Sequence, residues 1–277
     1  MAKYILLILV AVWSVQGKLK TIEEGELEPG PLSPKEAVSD GGPAKRIIDG
    51  TDVNDGELPH QVSLRTAGNG SYHFCGGGII SPTCILTAGH CIANQSSSSL
   101  FAVVGSVLLS EGTKHEIKKL ILHEDYFVDS VKNDYGILVT VLKMEYNDKV
   151  QPIALATEAP KTGASCLISG WGSTSRQRIQ MPERLQRINV TIWDQPNCDN
   201  YYHTVLRPGE NKKICGINKL SKGICYGDSG GMLVDQNKAV GIAAIITPCA
   251  YGFPDFYSNI LLELDWIKKT MDANKDQ

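Results

Sequence analysis

Phe74-Cys75-Gly76-Gly77-Gly78-Ile79-Ile80-Ser81-Pro82-Thr83-Cys84-Ile85-Leu86-Thr87-Ala88-Gly89-His90-Cys91 joins a short apolar run, Gly78 to Leu86, to a glycine-histidine-cysteine sequence. Similar short alternating or apolar runs recur on both sides, at Gln61 to Leu64, Phe101 to Leu109, Ile117 to Leu122, Ser165 to Ser169, Leu185 to Ile192 and Ala239 to Ile246. Gly, Pro, Asn and Ser separate them, and regularly spaced short strands of this kind argue for an all-β barrel or sandwich. Only the tail carries a helical pattern, with Leu264, Trp266, Ile267 and Met271 set among Asp265, Lys268, Lys269 and Asp272. Its apolar stripe is expected to pack on the last barrel.

Outside these runs the chain changes character. Residues 1–17 read as a secretion signal: Lys3 supplies the charge, Tyr4 to Val12 the apolar core, and Val15 with Gly17 the small-residue cleavage site. That core is shorter than the ~20 residues a spanning helix needs, so no membrane partner is expected. Residues 18–46 are rich in Glu, Pro and Gly, contain no cysteine or aromatic residue, and show no period, which predicts a disordered propeptide. Among 277 residues, 42% are hydrophobic and the net charge is −3, an ordinary globular balance with no electrostatic footprint for nucleic acid. Protein partners are expected. Eight cysteines in an oxidising compartment can act as staples, although counting alone cannot pair them. Asn69, Asn94 and Asn189 each stand in an Asn-X-Ser/Thr acceptor site, modified or not.

Three short sequences carry candidate chemistry. Gly227-Asp228-Ser229-Gly230-Gly231 places a hydroxyl between residues without bulk, and the amides of Gly227 and Ser229 could form an oxyanion hole. Alone, such a string is often only a turn. Leu86-Thr87-Ala88-Gly89-His90-Cys91 offers a histidine, whose unperturbed pKa of about 6.5 suits a general base. A lone histidine is more often a packed core residue. Asn133-Asp134-Tyr135-Gly136-Ile137-Leu138 puts an acid at the head of an apolar strand, where a cap or turn residue is the ordinary reading. Together they supply what a weak serine nucleophile needs: a base to take its proton and a buried carboxylate to hold that base in one tautomer.

In order and in surrounding motifs, His90, Asp134 and Ser229 resemble the trypsin-like serine peptidases. Ser169-Gly170-Trp171-Gly172 and Phe74-Cys75-Gly76-Gly77-Gly78 support the match, which runs from Ile47 to about Met271. The resemblance implies two six-stranded antiparallel β-barrels with a C-terminal α-helix, a peptidase domain over residues 47–277, and a secreted monomeric serine endopeptidase that needs no cofactor. It implies hydrolysis through an acyl-enzyme, with protein or peptide substrates, an activating protease and protein inhibitors as partners. Within Lys45-Arg46-Ile47-Ile48-Asp49-Gly50, cleavage after Arg46 would free the Ile47 amine to pair with Asp228 and set the oxyanion loop. It also implies disulfides Cys75–Cys91, Cys198–Cys215 and Cys225–Cys249.

Several residues depart from the family pattern. Cys84 and Cys166 lack their usual counterparts and are either buried thiols or an unfamiliar bridge. In the specificity pocket, Gly223 stands where trypsins have aspartate, Ile246 where a glycine opens the mouth, and Asp255 where glycine is usual. Asp255 is either a pocket carboxylate or a solvated loop acid, and small aliphatic, basic and mixed preferences all follow from this set. Ala244-Ile245-Ile246 replaces Ser-Trp-Gly and so loses a hydroxyl that supports the triad acid, and Met232 stands where proline is usual. These changes also motivate a second reading, a catalytically weak or inactive homologue acting as a binding or regulatory protein. Between Ser106 and His115 the oxygen ligands are too few for calcium, and His60, His73, His115, His123 and His203 show no metal-ligand spacing, so no metal is expected.

Overall fold

A computed structural model describes residues 50–68, 70–128, 131–175, 180–205, 213–247 and 249–274. Twelve of its strands close into two antiparallel barrels of six. In the first, β2 (Gln61–Thr66), β3 (His73–Ile79), β4 (Cys84–Thr87), β7 (Gly136–Thr140), β6 (Thr113–Leu122) and β5 (Leu100–Val104) pair in that order and return to β2. The second runs β9 (Ser165–Gly170), β10 (Gln186–Ile192), β11 (Lys213–Ile217), β14 (Asp255–Asn259), β13 (Lys238–Ile245) and β12 (Met232–Asp235), back to β9. The short β1 (Thr51–Asp52) adds to β10, and β8 (Ala154–Leu155) lies parallel to β13.

Local chemistry sets the turns. The apolar run from Gly78 to Leu86 is a hairpin, folded where the Ser81 hydroxyl accepts from the amides of Thr83 (3.3 Å) and Cys84 (3.0 Å). Gln236 and Asn237 both adopt positive φ (47° and 62°) between the paired residues Asp235 and Lys238, the backbone that a two-residue hairpin requires. The run from Phe101 ends as a strand at Val104, because Gly105 turns the chain at φ 81°.

Strand β10 shows how the barrel core is filled: Ile188, Val190 and Ile192 point in, while Asn189 points to solvent. In the first barrel Val62, Leu64, Ile85, Leu86, Ile137 and Leu138 are fully buried. The expected tail helix is α3 (Leu264–Asp272), anchored by Ile267 at 0% exposure, but its stripe packs on the first barrel rather than the last: it lies against β7, and Trp266 Nε1 donates to Glu124 at 2.7 Å beside the end of β6. Two helices escaped the sequence pattern. α1 (Gly89–Ile92) is a single turn, and α2 (Gln195–Val205) has little apolar stripe to betray it. Its start is nevertheless marked, since Asp194 accepts from Asn197 N (3.0 Å) and Pro196 lies in the first turn.

Candidate active site

Strand pairing brings the histidine and the acid together. Thr87 is opposite Gly136 where β4 meets β7, so the turn after β4 and the segment before β7 lie side by side. Gly89 and Gly136 permit that approach: a Cβ on Gly89 would stand 3.1 Å from the Tyr135 backbone, and one on Gly136 2.7 Å from Ile92 Cδ1. Asp134 is fully buried. Its Oδ1 accepts the His90 amide at 2.7 Å, and its Oδ2 lies 2.9 Å from His90 Nδ1. An ionised carboxylate can only accept, so Nδ1 carries the proton and Nε2 keeps a lone pair free to take another. The His90 side chain is 29% exposed and therefore reachable.

The Ser229 turn packs against the same edge. Gly76 N donates to Ser229 O at 2.7 Å and Gly230 N to Ala243 O at 2.8 Å, tying the turn to both barrels. A Cβ on Gly230, which sits at φ 80°, would lie 2.5 Å from Gly76 O and 3.3 Å from the Ala88 amide nitrogen. Ala88 is two residues before His90. Among the described residues no hydrogen bond joins the Ser229 hydroxyl to His90; catalytic contacts are often loose before substrate binds. The amides of Gly227 and Ser229 donate to no protein acceptor among the described residues, whereas those of Asp228, Gly230 and Gly231 do.

Asp228 is held beneath this turn. Its Oδ1 accepts Gly172 N (2.8 Å) and its Oδ2 accepts Cys225 N (2.9 Å). Burial pushes its pKa up to about 6 against the pull of those two amides. A Cβ at either Gly170 or Gly172 would come within 2.1 Å of a carboxylate oxygen, which explains both glycines of Ser169-Gly170-Trp171-Gly172. Arg46 and Ile47 lie outside the described residues, as does Asn69. Asn94 and Asn189 are exposed.

His73, one of the histidines without metal-ligand spacing, makes contacts that reach the candidate site. Its Nε2 lies 2.9 Å from the carbonyl of Gly227, and its Nδ1 2.9 Å from Ser63 Oγ. Burial pushes its pKa down to about 4, so the ring is neutral, with Nε2 donating to the carbonyl and Nδ1 accepting from the hydroxyl. Nothing in its sequence neighbourhood signals this, because the partner is 154 residues away.

Of the pocket candidates, Ile246 adjoins Thr247, the residue that donates to Asp255 at the start of β14. Gly223 is buried against Ala250, whose Cα would lie 3.2 Å from an added Cβ. Asp255 is only 6% exposed, so it is not a solvated loop acid. Its Oδ1 accepts from the amide (3.1 Å) and hydroxyl (3.3 Å) of Thr247, and burial drives its pKa up to about 8, with the charge of Asp228 adding to the rise. The hydroxyl of Tyr257, fully buried, has no hydrogen-bond partner among the described residues. Ile246 is half-buried against the core of this barrel. Met232 fills the space over Gly78, where an added Cβ would stand 2.5 Å from its Cγ, so a side chain without this reach would leave a gap.

Disulfides join Cys75–Cys91, Cys198–Cys215 and Cys225–Cys249, while Cys84 and Cys166 are buried free thiols. Burial pushes the Cys166 thiol up to about 12. Cys75, Cys91 and His90 lie close together, but the two sulfurs are bonded to each other and offer no thiolate to a metal.

A family model described as Trypsin matches residues 47–267. Chymotrypsin-2 of Vespa crabro is 36% identical over 229 residues, covering 80% of this chain and 99% of the relative. Trypsin theta of Drosophila melanogaster is 36% identical over 239 residues, 83% of this chain and 89% of the relative. Trypsin II-P29 of Gallus gallus is 33% identical over 232 residues, 82% and 90% respectively.

Proposed function

Because this chain belongs to the trypsin family of serine endopeptidases, we propose that His90, Asp134 and Ser229 are its catalytic triad. The observation that carries this reading is the buried Asp134 carboxylate on His90 Nδ1 at 2.9 Å, which leaves Nε2 as the base. Ser229 Oγ attacks the scissile carbonyl as His90 takes its proton. The oxyanion is received by the amides of Gly227 and Ser229, each such donor being worth roughly 2.7 to 4 kcal/mol of barrier. His90 then protonates the leaving amine, and water, deprotonated by the same imidazole, hydrolyses the acyl-enzyme.

The chain is made as a secreted zymogen: residues 1–17 direct export, cleavage after Arg46 releases residues 18–46, and the new Ile47 amine pairs with Asp228. The burial of Asp228, with two neutral donors and no cation among its described contacts, supports this pairing. Three disulfides and two exposed acceptor asparagines, Asn94 and Asn189, fit export with glycans. Gly223, Ile246 and Asp255 form an atypical primary pocket. Ile246 narrows it towards small aliphatic side chains, and Asp255, when ionised, admits basic ones. The enzyme acts as a monomer on protein substrates, is opened by another protease, and is restrained by protein inhibitors.

The test is labelling with a fluorophosphonate before and after cleavage at Arg46. Label on Ser229 that depends on the cut is expected; a cleaved, folded chain that stays unlabelled overturns the reading.

A further inference from the structure

Lys213 at the start of β11 is 4% exposed, and its ammonium reaches the back of the proposed acid. Nζ donates to Val131 O at 2.7 Å and to Ser258 Oγ at 2.9 Å; Ser258 in turn donates to Asp134 O at 3.1 Å. The segment it grips is strained. Val131 and Asn133 hold φ at 51° and 48°, and a β-branched residue in that region persists only where its surroundings enforce it. The described donors to the Asp134 carboxylate both belong to His90, so nothing else among the described residues fixes that acid from its own side. Ala244 has no hydroxyl to help.

We propose that Lys213 is a positioning residue for the Asp134–His90 pair, fixing the 131–134 backbone directly at Val131 and, through the Ser258 hydroxyl, at Asp134. This rests on the reading of those two side chains as the orienting acid and the base. Burial pushes the lysine down to about 8 while the charge of Asp134 holds it up, so the two groups sense each other. A packing role alone would be served better by methionine, which has the same reach and no charge to desolvate.

That contrast makes the test. Wild type, Lys213→Met, Lys213→Arg and Ser258→Ala are made in the full chain and cut after Arg46. Unfolding temperature, fluorophosphonate labelling rate, kcat and KM are then measured. Lys213→Met is expected to be at least as stable as wild type, yet to lose roughly tenfold in labelling rate and kcat with KM within about twofold, the signature of lost transition-state positioning. Lys213→Arg recovers most of the loss, and Ser258→Ala falls between. A folded Lys213→Met with wild-type rates, or an Arg variant no better than Met, overturns the inference while leaving the triad intact. Should the Met variant not fold, Ser258→Ala decides, and unchanged rates there overturn it. A wild-type chain that is never labelled brings down the triad reading and this inference together.

Discussion

Asp228 and Asp255 are both buried carboxylates at the same end of the second barrel, and they are held in different ways. The backbone holds Asp228: two amides donate to it, and two glycines stand where even a methyl group would collide with its oxygens. Asp255 accepts, among the described residues, from Thr247, and is near a tyrosine hydroxyl without a hydrogen-bond partner among the described residues. Burial accordingly drives the first to about 6 and the second to about 8. The proposed catalytic wall is thus over-determined by main chain, while the proposed pocket rests on a few side chains. Chemistry is expected to be brittle to change at the wall, and selectivity adjustable in the pocket.

The harshest way to probe the wall is Ser229→Ala. With the nucleophile gone, kcat should fall by roughly 10⁵- to 10⁶-fold, with the unfolding temperature unchanged. Gly172→Ala is subtler, because its Cβ would stand 2.1 Å from Asp228 Oδ2 and leave the triad untouched. Displacing that carboxylate disorders the oxyanion turn, and a loss of about 10²-fold in kcat is expected. A Gly172→Ala enzyme with full kcat would show that Asp228 is not what sets the turn.

In the pocket, Asp255→Asn should leave cleavage of peptides with small aliphatic side chains nearly unchanged. The wild-type preference for Arg or Lys over aliphatic residues should rise between pH 7 and 9 as the carboxyl ionises, and the Asn variant should lose that rise. Stability follows the same titration with a defined sign. The folded value near 8 lies above the ordinary 3.8, so the contribution is fully present below about 4 and is lost as pH rises through 8. Unfolding temperature should therefore fall less steeply with pH in the variant, and parallel curves would contradict it. The smallest effect is expected at the thiols. Cys84 and Cys166 should react with a disulfide reagent only after unfolding, and Cys166→Ala should leave kcat unchanged.

The same contrast governs what the sequence could tell. The wall was legible because backbone constraint leaves glycines: Gly170, Gly172, Gly227 and Gly230 flank the functional groups and give motifs with fixed spacing. An all-β barrel or sandwich was legible from the short alternating or apolar runs, the pair of six-stranded barrels only from the family resemblance, and α3 from its apolar stripe. What was hidden depends on long-range contact. His73 meets Gly227 and Lys213 meets Val131 across 154 and 82 residues, and neither has a local pattern. The burial of Asp255 was equally invisible, since an acid in a loop-like sequence looks the same whether it faces water or a core. Met232 likewise has no local pattern, because what it fills is the space over Gly78 on another strand.

One measurement bears on the whole account: turnover of a randomised peptide library by the chain cut at Arg46, with Ser229→Ala as control. Cleavage that vanishes in the control, with a residue preference not confined to Arg and Lys, is expected. A folded, labelled protein that cleaves nothing would contradict it and favour a binding or regulatory homologue instead.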